Sequence, residues 1–283
     1  MEALEIVNAV ITKELIASVA QPRKGPTGHG LLVVLRLLLY ALFQEIFSAR
    51  HLLKHLVKRA FVWQGLGFKT CPSKRSIDRW KKKNAIVITR IVEIVGKDYQ
   101  QLIHSEWTIL DSTPIPDEQD PEGKWGHTSR GPFFGFKLHA SCDEYQVPLR
   151  AVFTTGNIYD STQAEQLLTL TKNVGGDAAY DTKAIKKACR AQGSKPYFVH
   201  NPRRKGKVAK KKTPKLLRKV RVCVEQMNGF LKEHVLKYCW TKVKGFAAKA
   251  TLVLLSVLAT QTLAIYNFKK FGYPSIRISE VRC

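Results

Sequence analysis

The chain of 283 residues carries 47 lysine and arginine residues against 22 aspartate and glutamate residues, a formal charge of +25, while 45% of its residues are hydrophobic. This apolar content suffices for a packed core and excludes a disordered basic tail as the whole protein. So large a positive charge favours an anionic partner, with nucleic acid the leading candidate.

The charge is distributed unevenly along the chain. Residues 1–100 carry 17 basic and 7 acidic side chains, residues 101–200 carry 10 and 12, and residues 201–283 carry 20 and 3. A chain that coats an anion uniformly would not have an acidic middle third. The twelve carboxylates of that middle third are therefore candidates for holding a divalent metal.

Cysteine usage and apolar runs bear on the cellular compartment. The six cysteines are scattered without a CxxC or other short pairing, which predicts free thiols in a reducing compartment. Residues 1–20 contain acids and no continuous apolar run, so no secretory signal is predicted. The apolar stretch 250–266 is interrupted by Thr, Ser and Gln, which favours a buried helix over a membrane span. We expect a cytoplasmic, nucleoid-associated protein without a membrane partner.

The first hundred residues are predicted to be helical. Residues 31–47 are apolar nearly all round and predict a buried helix, and Ser48 is the expected N-cap of a second helix at 49–58. In CPSKRSIDRWKKK, Ser73 can cap a short basic helix, which is compatible with helix-turn-helix DNA binding. An ordinary amphipathic helix with a solvated basic face is the alternative. The candidate DNA contacts on this helix are Lys74, Arg75 and Arg79.

From Trp107 the periodicity changes to that of an α/β domain. The predicted order is strand, strand, strand, helix, strand, helix, strand and a long helix. The strands are expected at 107–111, 135–142, 147–153, 173–177 and 195–200, and the two intervening helices at 160–171 and 182–193. This order predicts an RNase H-like mixed five-stranded sheet with flanking helices, in which the first strands are antiparallel and the later ones parallel.

A polybasic connection precedes the last helices. From Arg203 to Arg221 there are eleven lysines and arginines and no acid. Such a block repels itself and is expected to stay disordered until an anion binds, although a nuclear-localisation-like tract has the same composition. Its candidate DNA contacts are Arg203, Arg204 and Lys211.

Two aspartates follow strands that the RNase H-like order makes parallel neighbours. Asp111 is expected to end the first strand and Asp177 the fourth, so both carboxylates should emerge at the same end of the sheet. Two ionised carboxylates at that distance repel each other unless a cation lies between them. The pair therefore predicts a Mg²⁺ site.

The last long helix offers a third acid. Arg221, Glu225, Asn228 and Lys232 stand at i, i+4, i+7 and i+11, which places them on one helical face. An adjacent apolar stripe would dock the helix onto the sheet; it consists of Val224, Met227 and Leu231. A simple Arg221–Glu225 salt bridge is the structural alternative to a catalytic glutamate.

Other acids have simpler explanations. Asp181 is the competing second acid, but its position before a helical segment predicts an N-cap, and Asp160 has the same explanation. Four further acids lie in a Pro-bounded loop and are expected to be solvated rather than catalytic: Asp117, Glu118, Asp120 and Glu122.

An ordered series of segments carries a family resemblance. LDSTP, GKWGHTSRG, GFKLHASCDEYQVPLRAVFTTGNIYDST, GGDAAYDTKAI and R-x3-E-x6-K together resemble the DDE transposases of bacterial and archaeal insertion sequences, in the retroviral-integrase superfamily. The resemblance implies that Asp111, Asp177 and Glu225 are the catalytic acids and that Arg221 and Lys232 are basic partners of the glutamate. The tyrosine of the family signature Y-x2-R-x3-E-x6-K is replaced by Arg218, so no tyrosine role is expected.

The resemblance also implies a reaction and partners. Two Mg²⁺ or Mn²⁺ ions per active site would be held by the three acids for phosphodiester hydrolysis and strand transfer. The expected partners are double-stranded transposon ends and target DNA, bound by a homodimer. Trp125, flanked by Lys124 and Arg130, is a candidate for stacking on an unpaired base, with a packed surface tryptophan as the alternative.

We predict a helical DNA-binding domain over residues 1–100 and a catalytic domain over residues 101–283, with the polybasic insertion at 203–221. Two other functions remain compatible with the sequence. A metal-dependent nuclease or resolvase of the same fold would cut without joining, which an assay for joining of 3′ ends distinguishes. A catalytically inactive, transposase-derived DNA-binding protein is disfavoured by the intact acids.

Overall fold

The computed structural model describes residues 2–19, 29–128, 131–200 and 215–276. The chain divides into two compact units, one of Met1–Val95 with Leu231–Cys283 and one of Gly96–Phe230. The helices are α1 (Glu2–Val10), α2 (Lys13–Ala17), α3 (Leu31–Phe43), α4 (Ala49–Lys58), α5 (Ala60–Gly65), α6 (Lys74–Lys83), α7 (Ala85–Ile103), α8 (Asp160–Leu167), α9 (Lys183–Ala191), α10 (Lys215–Phe230) and α11 (Phe246–Phe271). The strands are β1 (Trp107–Pro116), β2 (Lys124–Thr128), β3 (Gly131–Cys142), β4 (Pro148–Thr155), β5 (Asn173–Gly176) and β6 (Lys195–Phe198).

The predicted helix starts in the first unit are confirmed. The Ser48 hydroxyl accepts a hydrogen bond from the His51 amide at the start of α4, and the Ser73 hydroxyl accepts one from the Ser76 amide at the start of α6. Such caps satisfy amide groups that have no partner within the helix. The helix α3 ends at Phe43, four residues before its predicted end, and Glu45 then adopts a left-handed conformation with φ of 55°. That residue turns the chain out of the helix.

The long helix α11 lies in the core of the first unit. By length and hydropathy it is the one helix of the described residues that could cross a membrane, and 94% of its apolar window is buried inside the protein. Three of its polar side chains donate hydrogen bonds inside the protein: the Thr260 and Thr262 hydroxyls donate to carbonyls one turn back, and Gln261 Nε2 donates to the Val92 carbonyl. The prediction of a buried helix is confirmed. All five cysteines among the described residues are free thiols, as predicted.

The second unit is built on a mixed sheet. Five strands follow the predicted RNase H-like order β4-β3-β1-β5-β6, in which β1 pairs antiparallel with β3, β3 antiparallel with β4, β1 parallel with β5 and β5 parallel with β6. The fold class is therefore confirmed, but the sheet has six strands instead of five. The additional strand β2 pairs antiparallel with the first five residues of β3, which extend beyond β4. Its side chains show no buried and exposed alternation, so periodicity could not indicate it.

The loop between β1 and β2 is ordered by two of its acids. Asp117 and Asp120 are buried, and their carboxylates accept hydrogen bonds from the backbone amides of Gln119 and Glu122, each at 3.1 Å. The expectation that these two aspartates are solvated is wrong, because an aspartate that caps its own turn replaces water as the hydrogen-bond acceptor. Glu118 is exposed, as expected.

The two faces of the sheet are covered by different helices. Leu110 and Val174 pack with residues of α8 and α9, among them Leu167 and Ile185. Side chains alternate along a strand, so Gly175 faces the opposite side, where a Cβ atom on it would lie 3.3 Å from a methyl group of Leu217 in α10. The helix α10 thus covers the face of the sheet on which Gly175 lies.

The backbone conformation of Gly135 leads to a prediction about the stability of this sheet. Its φ is +144°, and a Cβ atom there would lie 2.5 Å from the Ile115 carbonyl oxygen and 2.7 Å from the Asp117 amide nitrogen. We expect Gly135→Ala to lower the free energy of unfolding by about 1–3 kcal/mol or more, because both the backbone conformation and the contact are strained. Urea unfolding monitored by fluorescence measures this. Gly229→Ala in α10, where the added methyl meets nothing within 4 Å, is the control and should leave stability unchanged or slightly raised. Equal effects of the two substitutions would contradict the explanation.

Candidate active site

The parallel pairing of β1 with β5 brings two aspartates together. Its register pairs Leu110 with Gly176, so the next residues, Asp111 and Asp177, lie side by side on strands about 4.8 Å apart. The prediction that Asp111 ends the first strand is wrong, because β1 continues to Pro116 by pairing with β3. What ends at Leu110 is the pairing with β5.

Both aspartates lie on the face covered by α10. Asp111 is two residues from Ile109, and Asp177 is two residues from Gly175, so strand alternation places each on the α10 side. The helix contacts Asp111 directly, because Asn228 Nδ2 donates a hydrogen bond of 2.9 Å to Asp111 Oδ2. Sequence reasoning put Asn228 on this helical face but gave it no role.

The negative charges of the two carboxylates are only partly balanced by their surroundings. The pKa of Asp111 is raised to about 7, chiefly by burial and also by the neighbouring charge of Asp177, against the opposing effects of the Ser112 backbone and of Arg221. Burial also raises the pKa of Asp177, although its carboxylate accepts a hydrogen bond of 2.9 Å from the Ala179 amide. A positive charge placed between the two carboxylates would offset both the cost of burying them and the repulsion between them.

Arg221 links Glu225 to this pair. The guanidinium lies 3.3 Å from the Glu225 carboxylate and acts electrostatically on both Asp111 and Asp177. The i, i+4 salt bridge named as the alternative for Glu225 is therefore formed. The Glu225 side chain is 58% exposed, and within the described residues no three His, Cys, Asp or Glu side chains lie close enough to hold one ion. Asp111 and Asp177 are therefore already adjacent, whereas Glu225 is held in a salt bridge by Arg221.

The expected regular helix through Lys232 is not observed. The α-helix ends at Phe230, and Leu231–Val235 forms one turn of π-helix, whose hydrogen bonds span five residues instead of four. The spacing of 100° per residue that placed Lys232 on the face of Glu225 does not apply across this turn. The docking stripe is confirmed as buried: Val224, Met227 and Leu231.

The helix-capping explanation of Asp181 is wrong. The cap of α9 is Thr182, whose hydroxyl accepts from the Ile185 amide at 3.1 Å. Asp181 is buried instead and forms an ion pair with Lys186, with His200 Nδ1 3.8 Å away. Asp181 therefore has a basic ion-pair partner, which Asp177 does not have among the residues that the structure describes.

Asp160 has an ion-pair partner that the sequence analysis missed. It is the first residue of α8, after the cap position of Tyr159, and its carboxylate lies 3.0 Å from Lys137 Nζ and 3.5 Å from His139 Nδ1. Lys137 is buried and also donates to the Ile158 carbonyl. Burial lowers the pKa of His139 to about 4, so the ring is neutral at pH 7. The signal was a lysine among the apolar residues of GFKLHA, which only a buried carboxylate explains.

The predicted DNA-contacting residues are only partly described. Trp125 is 66% exposed and packs edge-on against Phe134, with 5.6 Å between ring centroids. Lys124 beside it is exposed, and on α6 the side chains of Lys74, Arg75 and Arg79 are exposed, with Lys74 paired to Asp78 at 2.7 Å. The remaining predicted contacts lie outside the described residues: Arg130, Arg203, Arg204 and Lys211.

An RNase H-like sheet with two neighbouring carboxylates beside its central parallel strands defines the class, that of RNase H-like nucleic-acid enzymes. The family model of the transposase DDE domain matches residues 105–269, which include Asp111, Asp177 and Glu225. The chain belongs to this family and is a DNA transposase, an enzyme that cleaves DNA and transfers strands.

Comparison with solved structures finds a similar chain in a piggyBac transposase, determined by electron cryo-microscopy as a synaptic complex with hairpin DNA. The two chains share 9% identity with a TM-score of 0.43, over 99% of this chain and 77% of that one. No curated protein sequence matches this chain.

The raised pKa of Asp111 predicts how stability depends on pH. Because the folded carboxyl has a pKa of about 7, against an ordinary value of 3.8, the folded state binds more protons than the unfolded state between these values. The free energy of unfolding should therefore fall as pH rises from about 4 to 7 in EDTA. Asp111→Asn should flatten that dependence in thermal unfolding at a series of pH values.

Asp143 is the matched control for this measurement. It is buried at the hairpin between β3 and β4, accepts hydrogen bonds from the Tyr145 and Val147 amides, and burial raises its pKa to about 7 as well. Asp143→Asn should flatten the profile likewise. A profile that Asp111→Asn leaves unchanged would show that Asp111 is ionised across the whole range.

Proposed function

We propose that Asp111, Asp177 and Glu225 are the catalytic acids of this transposase and that they hold two Mg²⁺ or Mn²⁺ ions. The observation that carries the proposal is the pairing of β1 with β5, which sets two partly buried carboxylates side by side on the face covered by α10. Burial raises the pKa values of both, as expected of an anionic site that lacks its counter-charge.

The donor chemistry suits a hard divalent cation. Carboxylate and amide oxygens are the ligands that Mg²⁺ and Mn²⁺ prefer, and the site offers Asp111, Asp177 and, beside them, the amide of Asn228. When bound, the cations would lower the pKa of an attacking water or 3′-hydroxyl and stabilise the leaving oxygen. Cleavage of transposon ends and their joining to target DNA would need no covalent protein–DNA intermediate.

The other residues would orient and neutralise. Arg221 lies within electrostatic reach of both aspartates and holds Glu225, so its guanidinium offsets the negative charge before cations and DNA arrive. An exposed salt bridge is weak, and DNA phosphate can compete for the same guanidinium. Release of Arg221 to phosphate would free Glu225 to turn towards the aspartates.

The DNA surfaces of the proposal use the exposed basic side chains. On α6, Arg75 and Arg79 are exposed and would contact phosphate, whereas Lys74 has an internal partner in Asp78. We propose residues 1–100 as the DNA-binding domain and residues 101–283 as the catalytic domain, acting as a homodimer on transposon ends in the cytoplasm, associated with the nucleoid. Each phosphate contact would steepen the salt dependence of binding.

Substitution of the acids tests the assignment. Asp111→Asn, Asp177→Asn and Glu225→Gln should each lower cleavage of end DNA by more than about 100-fold, because even neighbours of metal ligands cost 10–100-fold when replaced. Binding of end DNA should persist. Loss of the Arg221–Glu225 bridge alone should cost only about 0.3–0.5 kcal/mol of stability, so inactivity of a stable Glu225→Gln protein separates the catalytic role from the salt bridge.

Asp181→Asn is the control, measured beside Asp177→Asn for divalent-metal binding and for cleavage. It removes a buried carboxylate four residues away whose partner is Lys186, so residual activity and normal metal binding are expected wherever the protein folds. Full activity of Asp177→Asn, or complete inactivity of a folded Asp181→Asn protein that still binds DNA, would move the second acid to Asp181.

Trp125 makes a separate prediction about DNA ends. Trp125→Ala should weaken binding of ends with unpaired terminal nucleotides by about 5- to 150-fold, which corresponds to the 1–3 kcal/mol of one base–aromatic stack. Binding of blunt duplex should change little, as a titration with labelled DNA would measure. Tyr145→Ala removes an exposed aromatic residue at another turn and is the control. Equal losses on both DNA forms would favour a packing role for Trp125.

A further inference from the structure

Asn228 is the most deeply buried polar side chain that α10 brings to the aspartates. It lies three residues after Glu225, one helical turn further along the same face, and is 5% exposed. Its Nδ2 donates the hydrogen bond of 2.9 Å to Asp111 Oδ2. A neutral amide donor at this place fixes one oxygen of Asp111.

The other end of the amide has no partner. Asn228 Oδ1 is buried and accepts no hydrogen bond from the part of the chain that the structure describes. A buried acceptor without a donor is costly, and native proteins rarely retain one without a reason. Because Oδ1 and Nδ2 belong to one planar amide, this free oxygen lies within a few ångströms of the Asp111 carboxylate.

The missing partner of this oxygen would be positively charged. Metals of the Mg²⁺ and Ca²⁺ class accept asparagine carbonyl oxygens as ligands beside carboxylates. A neutral oxygen ligand has an advantage at this position, because Asp111 and Asp177 already repel each other and a further negative charge would increase that repulsion.

We propose that Asn228 belongs to the metal centre, where its N–H groups position Asp111 and its carbonyl oxygen is a neutral ligand for the divalent cation. This inference rests on the proposed function of Asp111. It assigns α10 two contributions to the site, the exposed acid Glu225 and the buried amide Asn228.

Metal binding separates this role from packing. Mn²⁺ binding to the full chain without DNA can be measured by calorimetry, together with thermal unfolding in EDTA and in Mn²⁺. Asn228→Leu should weaken Mn²⁺ binding by about 10- to 100-fold. Leucine also removes the hydrogen bond to Asp111, so the melting temperature in EDTA measures that structural cost separately from the loss of Mn²⁺ affinity. Met227→Leu, at a buried position of the same helix, is the packing control and should bind Mn²⁺ normally.

Asn228→Asp keeps the inference testable if the leucine variant does not fold. An added carboxylate beside Asp111 should lower the melting temperature in EDTA by like-charge repulsion, whereas Mn²⁺ should restore it, with a larger gain than in the wild type. An equal loss in EDTA and in Mn²⁺ would overturn the inference, as would Mn²⁺ binding by Asn228→Leu at wild-type affinity.

Asp111→Asn, measured beside these variants, distinguishes the proposed metal centre itself from the role of Asn228 within it. If Asp111→Asn loses Mn²⁺ binding and Asn228→Leu retains it, Asn228 is merely structural and the proposed function stands. If both retain wild-type binding, the proposed metal centre itself is wrong.

Discussion

The parallel pairing of β1 with β5 is the constraint on which the site depends. It ends at Leu110 and Gly176, and the next residue on each strand is an aspartate. The two carboxylates are thus brought together by backbone hydrogen bonds, whose combined strength exceeds the repulsion between two partly buried charges. The raised pKa of Asp111 is the measure of that repulsion and burial. In the proposed metal centre, this pair would supply negative charge before a cation binds.

The helix α10 packs over the two aspartates and carries the other residues of the proposed site. Its buried residues dock on the face of the sheet where Gly175 leaves room, which fixes the rotation of the helix. That rotation directs Asn228 at Asp111 and leaves Arg221 and Glu225 towards solvent. The same packing interaction therefore separates a preformed part of the site from an adjustable part. Under the proposed function, DNA phosphate would compete with Glu225 for Arg221, and a divalent cation would compete with Arg221 for Glu225.

Buried charge elsewhere in the sheet has a structural purpose. Lys137 and Asp160 tie the start of α8 to β3, and Lys186 neutralises Asp181 at the start of α9. Each of these acids has a basic partner, whereas Asp111 and Asp177 form no ion pair with the residues that the structure describes and interact with Arg221 at longer range. The lack of an ion-pair partner within the described residues distinguishes Asp111 and Asp177, two of the three acids proposed for catalysis, from these structural acids.

The sequence by itself determined the order of strands and helices, the caps at Ser48 and Ser73, and the pairing of Asp111 with Asp177. These follow from local periodicity and from the rule that parallel neighbours end at one edge of a sheet. The tertiary structure was required for strand β2, for the burial of the turns at Asp117 and Asp120, and for the partners of Asp160 and Asp181. Each of these depends on strand pairing or packing that the local sequence pattern does not show. The unpartnered oxygen of Asn228 also required the tertiary structure. Helical spacing placed that residue on the face of Glu225, but only the packing of α10 on β1 brought its amide to Asp111 and closed it off from water.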